Sequence, residues 1–209
     1  MLTVVAALAV GYLLGAIPSA ALAARFRGRR IFDVGSGNMG AMNTARNLGW
    51  GLGTAVFAAD VAKGALATAA GMAMARTVAL APGAALATAL AAGLGAVVGH
   101  AWSVFVGFKG GKALATIFGA SLPLYPFGGL AGLVLIVSLT LLTRRATGAA
   151  IATLVLYPLA VALASLRAGA DTDTAFALFT GTAPLAAIAI YKYLRPVIAN
   201  ARTPRRPHP

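Results

Sequence analysis

The chain has 209 residues, of which 60% are hydrophobic and 10% charged, with a mean hydropathy of +0.87. A soluble domain carries about 25% charged residues, so this composition excludes a soluble globular domain, a disordered chain and a nucleic-acid-binding module. The formal net charge of +13, from 17 Lys and Arg against 4 acidic residues that are all Asp, is therefore read as orientation in a membrane and not as affinity for nucleic acid.

A helix that crosses a bilayer needs about 20 apolar residues. In chain order the candidate spans are 2–24, 51–75, 78–99, 113–125, 127–143, 147–166 and 175–193. The first lacks a basic leader and exceeds the length of a signal-peptide core, so it is expected to be a retained helix. The fourth is short, and Pro123 and Pro126 mark its end; a re-entrant or tilted segment is the alternative. The expected fold is an all-α polytopic membrane protein of about seven transmembrane helices. Residues 1–193 form a single transmembrane domain, and 194–209 a basic tail, disordered at its end.

Cation placement orients it. With the N-terminus outside, Arg25, Arg27, Arg29, Arg30 and Arg46 fall inside, followed by Lys109 and Lys112, then Arg144 and Arg145. The cytoplasmic C-terminal segment adds Lys192, Arg195, Arg202, Arg205 and Arg206, leaving Arg76 and Arg167 outside. Such asymmetry is the positive-inside signal. Within the spans, Gly11 and Gly15 form a GxxxG pair suited to close helix packing.

The unusual polar residues all lie on the inner face. The first inner loop reads GSGNMGAMNTAR, Gly35 to Arg46. Its glycines allow positive φ and a nest of backbone N–H groups able to hold an anion, and Arg46 offers a planar fork for phosphate. The second reads GHAWSVFVGFKGGKALAT, Gly99 to Thr116. There Lys109, Gly110, Gly111 and Lys112 precede a helical run, so a phosphate would meet two ammonium groups and the positive end of a helix. Tight turns and lipid-anchoring basic pairs are the plainer readings of each loop; two on one face favour a shared phosphate site. Asp60 and Lys63 stand one turn apart inside the second span, where ionisable groups pair and face the bundle interior. His100, at the end of the third, is expected to be a hydrogen-bonded anchor. Carboxylate pairs, a Ser-His-Asp triad and metal-ligand clusters are missing, and Cys is absent, so neither a metal nor another cofactor is expected. What remains is a cationic, hydroxyl- and amide-lined pocket for a phosphate-bearing substrate with a lipid tail.

GYLLGAIPSA (11–20), GSGNMGAMNTAR, DVAKG (60–64) and GHAWSVFVGFKGGKALAT together resemble the bacterial acyl-phosphate:glycerol-3-phosphate acyltransferases, the PlsY family, over roughly the first 120 residues. The resemblance implies a multi-pass enzyme of the bacterial cytoplasmic (inner) membrane. It would transfer an acyl chain from acyl phosphate to the first hydroxyl of glycerol 3-phosphate, giving lysophosphatidic acid and phosphate. Membrane lipids surround it, and no protein partner is assigned. Ser36 and Arg46 match the family's first-motif Ser and Arg and, with Lys112, form the expected catalytic set. Gly35, Gly37, Asn38, Gly40, Asn43, Lys109, Gly110 and Gly111 are expected to bind substrate phosphate, with Asp60, Lys63, His100 and Thr147 in support. Three departures stand out: Met42 replaces a common Thr, Ala113 replaces the Gly of GGKG, and the third motif is degenerate. There YKYLRPVIANARTPRR, from Tyr191, carries no His and no Glu; the best ungapped match puts Tyr191 at the family's His and Leu194 at its Asn. The rival readings are a homologue that binds lipid or phosphate without turnover, and a small transporter.

Overall fold

The computed structural model describes residues 1–202. Their regular elements are helical, apart from one isolated antiparallel bridge between Ser103 and Lys109. In order they are α1 (Leu2–Ala16), α2 (Ser19–Phe26), α3 (Ala41–Leu48), α4 (Trp50–Thr77), α5 (Pro82–Ala101), α6 (Leu114–Ser121), α7 (Pro126–Thr143), α8 (Ala146–Arg167) and α9 (Thr172–Arg202). Short 3₁₀ turns lie at Ile31–Asp33 and Val104–Val106. Six stretches are long and apolar enough to cross a bilayer: Leu2–Phe26, Trp50–Thr77, Pro82–Ala101, Pro126–Thr143, Ala146–Arg167 and Thr172–Pro196. Each overlies an expected span.

The expected fourth span, 113–125, is short, as its sequence suggests. It yields only the eight residues of α6, about 12 Å of helix at 1.5 Å per residue. Pro126 has no N–H and disfavours helical geometry in the residue before it; Tyr125 accordingly sits at φ −152°, ψ 88°. Most of α6 is buried, with Gly119 against Val61 and Gly64 against Thr116 and Ala120, so it need not present a full hydrophobic length to lipid. The described residues thus hold six long apolar helices and one short, largely buried one.

Pro18 divides the first long stretch into α1 and α2. A proline there removes a helical N–H, and the backbone carbonyls left open at the break need other donors in an apolar setting. The Ser103 hydroxyl donates to the Ala16 carbonyl at 2.5 Å and the Lys63 ammonium to the Ile17 carbonyl at 3.1 Å. Thus two distant segments stitch the kink.

The closest packing is between α1 and α5. Gly11 and Gly15 lie on the backbone of Ala92 and Ala96, while Gly95 and Gly99 lie on that of Leu8, Tyr12 and Ala16. A Cβ at any of these four positions would overlap the facing main chain. Residue numbers rise together across the contact, so the two helices run parallel. The α9 helix shares their direction, with Gly181 on Leu90 and the Lys192 ammonium donating to the Ala101 carbonyl at 2.7 Å. The α7 and α8 pair is antiparallel, Gly128 meeting Val161 and Gly132 meeting Tyr157. It follows that α7 starts at the end of the bundle opposite to where α5 finishes, and segment 102–125 carries the chain across. Arg25 to Arg30, Lys109, Lys112, Arg144, Arg145 and Lys192 gather at one end, here called the basic end; Arg76 and Arg167 stand at the other.

A core of Val97, Ile117, Phe118, Leu154, Tyr157, Leu178 and Leu185 joins α5, α6, α8 and α9. Its one phenol is satisfied, donating to the Ser121 hydroxyl at 2.6 Å. Helix α9 continues without a break past residue 193, the expected domain boundary, to Arg202. The disorder expected at the end of the tail falls on residues outside those described.

Candidate active site

The first inner loop hangs from a small apolar cluster of its own: Ile31 and Met39 with Ala20, Ala24 and Val56. Gly28, Gly35 and Gly37 take positive φ, +65°, +54° and +65°. At Gly35 a Cβ would also run into the amides of Asn43 and Asn47. Asn43 is the template of the turn. Its amide donates to the Val34 carbonyl at 2.9 Å and the Asn38 carbonyl at 3.0 Å, and its oxygen accepts from the Ser36 N–H and the Asn47 amide, both at 3.1 Å. Both donors and both acceptor positions of that side chain are occupied, so Asn43 shapes the loop and has no group left for a ligand.

The same bonds alter the expected nest. The Ser36 N–H goes to Asn43, the Gly37 N–H to the Val34 carbonyl and the Gly40 N–H to the Asn38 carbonyl. Those N–H groups stabilise the turn instead of converging on a vacant point. The loop also presents the exposed Ser36 and the half-buried Asn38. Arg46 is exposed in the last turn of α3, and no carboxylate lies within ion-pair distance of it among the described residues. Helix α3 is held to α4 by Ala45 lying on Gly53.

The second inner loop folds back on itself. The Ser103 N–H donates to the Lys109 carbonyl at 3.0 Å, and the Phe108 N–H to the Ser103 carbonyl at 2.8 Å. Gly110 and Gly111 then press against the end of α5: the Gly111 N–H donates to the His100 carbonyl at 3.1 Å. A Cβ at Gly110 would strike the His100 and Ala101 carbonyls. One at Gly111 would strike the His100 ring and stand 2.8 Å from the Met39 carbonyl. That contact brings the two loops together. Ala113, the position of the family's glycine, is buried with φ +60° immediately before α6, a conformation unfavourable for a side chain.

The two lysines of the loop face different surroundings. Lys109 is exposed, its ammonium 5.1 Å from the centre of the Phe32 ring. Lys112 is half-buried with its ammonium 4.0 Å over the Tyr193 ring, and burial depresses its pKa below the ordinary lysine value. Lys192 bonds the Ala101 carbonyl and lies 5.0 Å over Trp102; the Tyr12 hydroxyl donates to the Trp102 carbonyl at 2.9 Å.

Beneath the loops sits a buried polar group of three. The Lys63 ammonium is 2.8 Å from Asp60 Oδ1, and His100 Nδ1 is 3.5 Å from the same oxygen. All three residues are buried, and Asp60 and Lys63 face the bundle interior as the sequence suggests. Lys63 ties this group to the kink at Pro18, and His100 ties it to Gly111. Thr147 is exposed in the first turn of α8.

Three sets of residues join the loops without having been singled out in the sequence. Tyr193 and Lys192 come from α9, some 80 to 90 positions from their partners, and only the presence of a lysine in an apolar helix hints at them. Trp102, inside the second loop, is a platform for Tyr191 and Lys192, which arrive from α9. Arg25, Arg29 and Arg30 line an open groove with Lys109, whereas charge placement alone assigns them to orientation.

Parallel small-residue packing, a basic end and two glycine loops in contact there define a multi-pass helical membrane protein with a strongly basic candidate site at one end of the bundle. The glycerol-3-phosphate acyltransferase family profile matches residues 5–199, and the chain belongs to that family. It is 42% identical over 133 residues to glycerol-3-phosphate acyltransferase 1 of Dehalococcoides mccartyi, covering 63% of this chain and 61% of that protein. It is 43% identical over 143 residues to glycerol-3-phosphate acyltransferase 1 of Deinococcus radiodurans, covering 68% of each. The fold matches the glycerol 3-phosphate form of PlsY, an integral membrane glycerol 3-phosphate acyltransferase. The TM-score is 0.75 at 26% identity, covering 97% of this chain and 95% of that one. A second PlsY structure, the lysophosphatidic acid form, gives a TM-score of 0.74.

Proposed function

We propose that the protein is an acyl-phosphate-dependent glycerol-3-phosphate acyltransferase of the bacterial inner membrane, with the basic end of the bundle facing the cytoplasm. The observation that carries this reading is the contact between Gly111 and the Met39 carbonyl. It sets the Ser36, Asn38 and Arg46 loop beside the Lys109 and Lys112 loop, so that one end of the bundle offers separate cations for two phosphates. The solved PlsY structures in glycerol 3-phosphate and lysophosphatidic acid forms support the same acceptor and product.

In this reaction the first hydroxyl oxygen of glycerol 3-phosphate attacks the acyl carbon of the mixed anhydride. The bond between that carbon and the bridging oxygen breaks, and phosphate departs with the electron pair. The leaving phosphate takes the hydroxyl proton, so no carboxylate or histidine base is required and no acyl-enzyme forms. The chain supplies position and charge: Arg46 and Lys112 hold the anions, and Ser36 hydrogen-bonds an acyl phosphate oxygen. Holding two reactants in line and stabilising developing charge are each large contributions to rate.

The test is acyl transfer by the purified protein, with labelled glycerol 3-phosphate and a synthetic acyl phosphate. Labelled lysophosphatidic acid is the expected product. A protein that binds glycerol 3-phosphate but forms none would instead be a non-catalytic homologue.

A further inference from the structure

Beside the two loops lies an open groove of about 570 Å³ whose lining includes Arg25, Arg29, Arg30 and Lys109 together with Phe32 and Val106. Its cations come from two segments far apart in sequence. The first follows directly on the apolar stretch Leu2–Phe26, and the second follows α5, which runs parallel to α1 and ends at Ala101. The groove therefore sits just beyond the ends of two parallel spans, at the level of lipid headgroups. Phe26, Phe105 and Phe108, next in sequence to its lining residues Arg25, Val106 and Lys109, are 83%, 59% and 63% exposed, apolar side chains of the kind that belong against acyl chains at a membrane interface.

Its charge is largely uncompensated. The Arg30 guanidinium is 3.6 Å from Asp33, with both side chains open to solvent, a geometry of little energetic weight. Among the described residues no carboxylate lies within ion-pair distance of Arg25, Arg29 or Lys109. Guanidinium forks recognise phosphate oxygens in pairs, and a wall of phenylalanine and valine suits a ligand whose phosphate carries an acyl chain. Lys109 turns toward this groove over Phe32, while Lys112 turns away onto Tyr193, so the two lysines of one loop serve different anions.

We infer that this groove is a binding site for the phosphomonoester headgroup of an anionic lipid in the adjoining leaflet. Arg25, Arg29, Arg30 and Lys109 hold the phosphate, and Phe32 and Val106 support the start of its chain. The inference concerns binding alone and stands whether or not the chain turns over acyl phosphate.

The experiment uses the full chain in phosphatidylcholine nanodiscs and phosphatidate as the probe, a lipid that is neither donor nor product of the proposed transfer. Bound phosphatidate is counted by native mass spectrometry, with inorganic phosphate as competitor. Each cation close to an anionic headgroup is worth about fivefold in affinity, so Arg25→Gln, Arg29→Gln and Arg30→Gln together should weaken phosphatidate binding by on the order of 100-fold. Arg76→Gln with Arg167→Gln, at the opposite end, should leave it unchanged. Inorganic phosphate should not displace the lipid, because it lacks the chain. Retained phosphatidate binding by the triple variant, an equal loss in the opposite-end variant, or ready displacement by inorganic phosphate would each overturn the assignment.

Discussion

Arg46 is the residue whose chemistry is most separable from its charge. It is exposed and lies at the end of the short helix that the Asn43 turn begins, and its planar fork is a shape that an ammonium cannot reproduce. Arg46→Lys is expected to lose most acyl transfer, while Arg27→Lys, which also keeps the charge, should be nearly silent; kcat/KM for glycerol 3-phosphate in detergent separates them. Lys112 titrates differently. Burial disfavours its charged form, so its pKa lies below the ordinary value, and rising pH strips its charge sooner than from a solvated lysine. Anion binding should then fail on the alkaline side, and Lys112→Arg should shift that limb of the kcat/KM profile upward, whatever its rate. The sign for folding is opposite. Between the depressed and ordinary values the unfolded chain binds more protons, so this group adds stability as pH rises. Ala113 carries strain, with φ +60° at a buried position. Left-handed geometry costs about 1–2 kcal/mol for a residue with a Cβ, and glycine's greater unfolded freedom returns part of that. Ala113→Gly should thus raise stability by roughly 1 kcal/mol, read as a higher melting temperature in detergent.

At the scale of helices, the break at Pro18 explains why an apolar helix contains a lysine. Lys63 gives the Ile17 carbonyl a second donor beside the Ser19 N–H and neutralises Asp60, which also faces His100. Removing one partner of a buried ion pair costs about 3–5 kcal/mol, and removing both costs less. Asp60→Leu should therefore destabilise more than Asp60→Leu combined with Lys63→Met, although the double variant leaves the Ile17 carbonyl with the Ser19 N–H alone. Chemical denaturation of the detergent-solubilised protein measures the difference. The Asp60–Lys63 pair is readable from sequence because both residues lie on one helix, one turn apart. The third member is not, because His100 arrives from another helix. Likewise the length of an apolar run identifies six long helices, but hydropathy alone does not distinguish a run facing lipid from one buried in protein, and α6 is the latter. The two glycine loops are legible from their composition as a candidate site. Which of their N–H groups are taken is not, because the acceptors, Asn43 Oδ1 for Ser36 and the Val34 and Asn38 carbonyls for Gly37 and Gly40, are set by the folded turn.

For the molecule as a whole, the directions of the helices place the basic segments at one end, with α1, α5 and α9 all finishing there. With that end cytoplasmic, a cysteine introduced at Arg27 should react with an impermeant maleimide only after the cells are opened, and one at Ala168 should react in intact cells. The background is clean because the chain contains no cysteine. Labelling in the reverse order would invert the orientation and move both loops away from cytoplasmic glycerol 3-phosphate.

The parallel contact of α1 with α5 also sets an order of events in time. Gly11 and Gly15 emerge early from the ribosome, but the surface they fit, Ala92 and Ala96, is made about 80 residues later. At about 5–20 residues per second, that interval is on the order of ten seconds. During it, the first span resides in lipid with its glycine face bare, and the Ala16 carbonyl awaits Ser103. Antiparallel neighbours such as α7 and α8 can pair as soon as both are made. The parallel pair must be brought together across the helix between them. Because both inner loops hang from α1 and α5, the step that pairs these two helices is also the one that brings the loops together.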